Sequence, residues 1–385
     1  MLALKAILRA NGISQAELSR AINLSTATVA QLLNHEQWPT EPNQKHLKGL
    51  ITEALTDKDI TVDAAMFEPA IIATLNTPIL TEEVITMLLQ KTGITPFTKK
   101  HFNIFRDPFA DDLNDAADVF SSPDIRNVRE WLWSTARFGG FGAVVGESGS
   151  GKSTLRMDLI DRIARENAPI IIIEPSVRRS EDNDKKGKTL KSSAIEDAII
   201  YSLDPLSTPR QSPEAKSRQV QRLLTDSRRA GYTHCLIIEE AHSLSIPTLK
   251  HLKRFYEIRD GFKTLLSIVL IGQPELQLKL AGHTGDVREV SQRCEIIKLN
   301  PLDTQLEDYL RFKFARVGSD LDVILDKSAL DAIRTRLIFS KNERSKRETI
   351  SLMYPLMINN LVSTAMNHAS ELGFPKVSSE LILEA

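Results

Sequence analysis

Between residues 126 and 300, short apolar runs alternate with longer amphipathic stretches. The runs cover residues 142–145, 169–173, 235–238, 267–271 and 296–299, and they are rich in Ile and Val. A run without a polar face is what a strand buried on both sides shows. The helical stretches between the runs predict right-handed crossovers, hence a parallel sheet and an α/β core. The pattern changes on either side. Residues 1–60 read as short helices with tight turns. Residues 61–125 carry Pro69, Pro78, Pro96, Pro108 and Pro123, and predict a linker with one short helix over 81–91. Beyond Pro301 the strand pattern stops. Helices over 305–317, 327–336 and 354–372 predict a helical lid spanning 301–385.

Composition narrows the class. Of the 385 residues, 42% are hydrophobic and 26% charged, which excludes a mainly disordered chain. Lys+Arg 49 against Asp+Glu 50 leaves a net charge of −1, so any nucleic-acid surface must come from local segregation of charge. The two cysteines, Cys235 and Cys294, exclude a disulfide framework and fit a reducing compartment. The amino-terminal segment lacks the apolar stretch of a secretory signal. The most apolar segment, 64–80, is broken by Glu68, Pro69 and Pro78, so no span of a bilayer is expected. A cytoplasmic protein is the expectation.

The strongest motif is Gly146-Glu147-Ser148-Gly149-Ser150-Gly151-Lys152-Ser153, a complete G-x-x-x-x-G-K-[ST], followed by Thr154. It lies between a predicted strand and a predicted helix. Its glycines let backbone N–H groups turn inward on phosphate oxygens, and the helix N-terminus adds partial positive charge. Lys152 is placed on the β- and γ-phosphates and the Ser153 hydroxyl on Mg²⁺. The run Leu236-Ile237-Ile238 ends in Glu239 and Glu240, a carboxylate pair at the carboxyl edge of the sheet. Glu239 is expected to orient the Mg²⁺ shell and Glu240 to polarise the attacking water. The next strand ends at Gln273, which either touches the γ-phosphate or is a loop glutamine without a role. Arg293, with Arg288 as its competitor, is a candidate to reach a neighbouring copy's nucleotide; the plain reading of each is a surface arginine.

These elements, in this order, resemble the AAA+ ATPase superfamily. GESGSGKST, LIIEEAHSL, VLIGQPEL and RCEIIKLNPL are most similar to the branch holding the phage Mu B transposition protein, Tn7-type target selectors and a secretion ATPase family. FNIFRDPF, residues 102–109, resembles the short motif that precedes the core there. The resemblance covers about residues 102–365 and implies a P-loop AAA+ core with a helical lid, and ATP and Mg²⁺ as cofactors. It implies Walker A over Gly146 to Thr154, Walker B at Glu239 and Glu240, sensor 1 at Gln273 and an arginine finger at Arg293. Leu356 stands where the branch commonly has a lid arginine, and Glu239 where Asp is usual. Slow hydrolysis, with ATP holding an assembly together, follows from those departures.

The amino-terminal residues add a second module. Ser14-Gln15-Ala16-Glu17 is a capping box, with Leu18 and Ala21 expected to face inward. After the turn at Asn23-Leu24, Ser25 caps a second helix carrying Val29, Leu32 and Leu33. QAELSRAINLSTATVAQLLN resembles the Cro/repressor helix-turn-helix; the other reading is a helical bundle used for protein contacts. The exposed positions would be Ser25, Thr26, Thr28, Gln31 and His35, residue types that meet phosphates and base edges. Further basic positions are Arg178, Arg179, Lys185, Lys186, Lys188 and Lys191, and a second group of Lys250, Lys253, Arg254, Arg259 and Lys263. Each group either contacts DNA or is a solvated face. Together these features predict an ATP-dependent, largely non-specific binder of double-stranded DNA that self-associates into a ring or filament and recruits a transposase. A secretion-type ATPase acting on protein and a nucleotide-switched helix-turn-helix regulator are the alternatives.

Overall fold

The structure, a computed structural model, describes residues 4, 8, 15–22, 24, 25, 28, 29, 31, 32, 44–56, 88–175, 190–282, 285–343 and 346–385. The chain divides into two compact units, Met1–Leu80 with Ile338–Ile350, and Thr81–Leu337 with Ser351–Ala385.

In the first unit, α1 (Gln15–Ala21) and α2 (Gln44–Thr56) share a small apolar core. Leu47, Ile51 and Leu55 recur every four residues along α2, so one stripe is buried against Leu4, Leu8, Leu18, Val29 and Leu32. The inward position near the end of α1 is Ile22, whereas Ala21 is exposed, which corrects the expectation for Ala21. Ser25 Oγ accepts from the Thr28 N–H at 3.0 Å, the bond of a helix N-cap. Residues Ile338–Glu343 and Lys346–Ser351 form a two-stranded sheet. Strand is therefore present beyond Pro301, where only helix was expected: Lys341 to Arg347 give this stretch a polar, unpatterned look.

The second unit is built on five parallel strands. They are β1 (Phe141–Val145), β2 (Ile170–Ile173), β3 (Thr233–Ile238), β4 (Ser267–Gly272) and β5 (Glu295–Lys298). Their order is β2-β3-β4-β1-β5, which puts β1 between β4 and β5 with Ala143 opposite Leu270 and Ile296. Alternation along each strand sends side chains to two layers. Phe141, Ala143, Val145, Leu236, Ile238, Ile268 and Leu270 join one core; Val144, Cys235, Ile237, Val269 and Ile271 join the other. Both faces are apolar because both are covered. Each such Leu or Ile stabilises the fold by roughly 1.5–3 kcal/mol relative to exposure.

The covering helices follow in chain order. After α3 (Pro96–His101) come α4 (Pro123–Phe138) and α5 (Lys152–Arg165), which pack on the second layer. Three helices pack on the first layer: α6 (Ser192–Leu203), α7 (Pro213–Arg229) and α8 (Ile246–Tyr256). Short helices α9 (Pro274–Leu280) and α10 (Gly285–Ser291) lead into β5. A bidentate pair from Arg129 to buried Asp158, at 2.7 and 2.6 Å, ties α4 to α5. Gly142 permits a close approach on β1: a Cβ there would lie 2.3 Å from the Trp131 ring, which is held by a 2.7 Å bond from Nε1 to Glu295. Trp133 is a core residue, whereas Phe138 is 74% exposed.

The lid consists of α11 (Leu306–Ala315), α12 (Leu321–Ile324), α13 (Lys327–Leu337), α14 (Pro355–Leu372) and α15 (Ser379–Glu384). Residues 88–122, expected as part of a linker, form a strap laid along this lid. Asn360, Asn367 and Ser370 on α14 are its anchors. Asn360 donates to Leu88 O at 2.7 Å and accepts from Thr92 N at 3.1 Å. Asn367 Oδ1 accepts from Thr95 N at 3.0 Å and from the Thr98 hydroxyl at 2.7 Å. The short-helix expectation over 81–91 lies mostly outside the described residues; Leu88 and Leu89 are helical.

Candidate nucleotide site

Three strand ends and one loop converge at the carboxyl edge of the sheet. Between them and the lid lies a cavity of about 360 Å³. One end is lined by Ser148, Gly149, Ser150, Gly151, Lys152, Ser153 and Thr154, with Glu240 and Gln273. The other is walled by Val119, Phe120, Ile125, Leu299 and Tyr309.

The loop is shaped by its glycines. Gly149 (φ +74°) and Gly151 (φ +93°) are left-handed, a conformation that costs other residues energy. Gly151 begins α5 without any side-chain cap, so the first-turn N–H groups are left for an anion. The Lys152 ammonium, nearly buried, donates to Gly146 O at 2.8 Å and Glu147 O at 2.7 Å. Burial holds it below the usual lysine range, against the pull of Glu240, Glu147, Glu239 and Glu275. Burial, then Glu275, pushes Glu147 upward while Lys152 opposes. Four carboxylates around one lysine would repel a bare triphosphate, so this end favours an anion that arrives with its own cation.

Glu239 ends β3 beside the start of α5. Ser153 Oγ donates to Glu239 Oε1 at 3.0 Å, and Arg156 Nε lies 3.3 Å from the same oxygen. A hydroxyl and a carboxylate side by side are hard oxygen donors of the kind Mg²⁺ takes together with substrate phosphates and water. The residues fit that ion, and Ser153 and Glu239 would hold it. When bound, it would neutralise charge on the phosphates. Glu240 has φ +49° and ψ +34°, a strained position for a glutamate. That turn leaves its carboxylate exposed at the cavity rather than folded onto the sheet.

His242 completes the arrangement and was not singled out as a site residue from sequence. Its Nδ1 accepts a long bond from the Gln273 N–H at 3.5 Å, and its Nε2 faces Glu240 Oε2 at 3.5 Å. The ring thus bridges the ends of β3 and β4. Gln273 is the N-cap residue of α9 and lines the cavity.

Residues 137–280 match the family described as AAA domain. Those residues are therefore similar to an AAA domain. General secretion pathway protein A of Aeromonas hydrophila is 27% identical over 186 residues, 47% of this chain and 30% of that protein. The chain therefore spans less than a third of that relative's length. Among solved structures, Cdc6p of Pyrobaculum aerophilum superposes with a TM-score of 0.46 at 14% identity, over 70% of this chain and 67% of that one. The Aeropyrum pernix ORC2 protein, in ADPNP–ADP complexes, gives 0.45 at 15%, over 72% and 70%. A Thermotoga maritima RuvB variant gives 0.37 at 13%, over 69% and 68%.

The lid supplies the other wall of the cavity. Leu356 N donates to Gly149 O at 3.2 Å, and a Cβ on Gly149 would come within 2.3 Å of Leu356 Cβ. The lid helix therefore rests directly on the phosphate loop. Tyr309 is fully buried, donates to Asn359 Oδ1 at 2.8 Å and meets Phe120 edge-on at 5.4 Å. Burial pushes its hydroxyl above the usual tyrosine range. No motif in the sequence marks Tyr309 or Phe120 as cavity residues.

The remaining expected residues lie elsewhere. Arg293 is not among the residues lining the cavity and pairs with Glu257 at 2.9 Å. Arg288 is exposed. Lys253 is held by Glu289 and by Glu257, the latter at 3.7 Å, and it lowers the Glu289 carboxyl. Arg254 is exposed. Ser25 and Thr28 share a 2.8 Å hydroxyl contact, and Gln31 is exposed. Thr26, Arg178, Arg179, Lys185, Lys186 and Lys188 lie outside the described residues, as does Ser14 of the capping box. No helix among the described residues is long and apolar enough to cross a membrane.

Proposed function

We propose that this protein binds ATP to assemble copies of itself on duplex DNA and hydrolyses it to release them, and that the assembly recruits and activates a transposase during target selection. The observation that carries the self-assembly is the incompleteness of the cavity. Lys152, Ser153, Glu239, Glu240 and Gln273 supply grip, metal ligands and a water-activating base. The lid offers Leu356 where an arginine would meet the γ-phosphate, and Arg293 pairs with Glu257 and does not line its own cavity. A second copy's Arg293 would supply the missing charge, as transferring phosphoryl groups require. In this reading Glu240 takes the proton of the attacking water, and hydrolysis dissolves the assembly.

DNA as the track is supported by the first unit, where α1, a tight turn and a Ser25-capped start of a second helix follow in sequence. Arg254, exposed on α8, adds a phosphate contact. The secretion-type reading is favoured by the name of the Aeromonas relative. Electron microscopy of the protein on duplex DNA separates the two. ATP-dependent rings or filaments on DNA are expected. A protein that stays dispersed on DNA whatever nucleotide is added overturns the DNA reading, and ATPase activity indifferent to DNA then favours action on protein.

A further inference from the structure

Among the described residues of the cavity's lid wall, one cation, beside the Tyr309 ring, has no hydrogen-bond or ion-pair partner. Lys313 lies on α11, half-buried, and lines the same cavity as the phosphate loop. Every acid near it is already engaged. Asp111 pairs with Lys91. Asp112 pairs with Arg106 at 3.2 Å and with Arg316 at 3.3 Å. Asp118 accepts from Arg316 Nε at 2.9 Å and from Asn114 N at 2.9 Å. Among the described residues, no hydrogen bond or ion pair holds the Lys313 ammonium, which stands 5.8 Å from the centre of the Tyr309 ring. Burial and Arg316 both lower its affinity for a proton. A half-buried ammonium with a ring beside it but no hydrogen-bond acceptor is costly unless a ligand supplies one.

Lys313 stands beside the Tyr309 ring on the lid, whereas Lys152 is held on the Gly146 and Glu147 carbonyls of the phosphate loop, so the two lysines sit on different walls of one cavity. Beside Lys313 the walls are Phe120, Val119 and Tyr309, flat or apolar surfaces suited to a heteroaromatic ring. We propose that Lys313 binds the base of the nucleotide, donating from Nζ to a ring nitrogen of the purine. The inference rests on the nucleotide reading of the cavity and names the residue that reads the base.

The test is equilibrium binding of ATP, ADP and the 1-, 3- and 7-deaza forms of ATP, each lacking one ring acceptor. The proteins are the parent, Lys313→Met and Lys313→Arg. One deaza analogue should bind the parent about tenfold more weakly than ATP, the scale of a charge-assisted hydrogen bond. Lys313→Met should weaken ATP and ADP by the same factor and bind that analogue no worse than ATP, while Lys313→Arg keeps the parent's preference. Three deaza analogues that all bind the parent as tightly as ATP would overturn the proposal without any variant. So would a Lys313→Met protein that loses ATP but not ADP, since the contact would then be to the γ-phosphate. Loss of binding in Lys152→Ala beside an unchanged Lys313→Met sinks this inference alone; a parent that binds no nucleotide sinks the nucleotide reading with it.

Discussion

The phosphate end of the cavity and its lid end are held by different forces. At the phosphate end, Lys152, Glu239, Glu240 and Gln273 stand at the ends of β1, β3 and β4 or one turn beyond them. Those strands are locked by side chains buried in two apolar layers, so the groups are fixed by packing that water does not enter. At the lid end, the strap and α11 are joined by ion pairs from Arg316 to Asp112 and Asp118 as well as by the Phe109–Phe314 and Phe120–Tyr309 ring contacts, and the strap and α14 by amide and hydroxyl bonds at Asn360, Asn367 and Ser370. The polar bonds exchange with water at modest net gain, about 0.5–1.5 kcal/mol each. A site with one rigid and one exchangeable wall can keep its chemistry in register while the lid responds to what is bound. The contact of Leu356 with Gly149 is where the two walls meet.

The largest expected effect lies at the rigid end. Lys152→Ala should weaken ATP binding by about 100-fold or more, in a titration with a fluorescent nucleotide, because it removes a buried cation that meets the phosphates. An affinity within threefold of the parent would remove the phosphate end from the account. Glu240→Gln should keep ATP affinity and lower single-turnover hydrolysis by roughly 10²–10⁴-fold, the range of a general base. Unchanged turnover would assign the base elsewhere.

The lid end should answer differently. Arg316→Met leaves Asp112 with Arg106 and Asp118 with the Asn114 N–H, and should loosen the strap from α11 at a cost of about 1–3 kcal/mol. Amide exchange in α11 and the strap should quicken while β1 and β4 stay protected, and ATP affinity should fall by about tenfold. Equal loss of protection in the sheet would mean the two ends are one cooperative body. The smallest effect is in the core alone. His234 is buried between Leu265 O and Ser227 Oγ, each at 2.8 Å, and burial holds its pKa below the usual 6.5. The folded state therefore resists its protonation. Stability is complete above about 6.5 and declines as pH falls through the depressed value. Urea midpoints should drop with acid in the parent and drop less in His234→Gln.

The same division explains what could be read in advance. The five strands were visible because a strand covered on both faces is apolar throughout, and Ile170–Ile173 is four isoleucines in a row. The phosphate loop was visible because its glycines, lysine and serine are consecutive. The lid end was not, since Phe120, Tyr309 and Lys313 come from two separated segments, joined only by tertiary contacts. Pro96 and Pro123 looked like linker punctuation but open α3 and α4, with Thr95 and Ser122 as side-chain caps. His242 carries no metal-ligand spacing, and its bridge from Glu240 to Gln273 exists only once β3 and β4 lie side by side.

Most direct for the central claim, that this cavity grips a nucleoside triphosphate by its phosphate loop, is a calorimetric titration of ATP with Mg²⁺ into the parent and into Lys152→Ala. One site per chain in the parent, and none detectable in the variant, is the result the account predicts. A parent that takes up no ATP, or a variant that binds it as well as the parent, would contradict it.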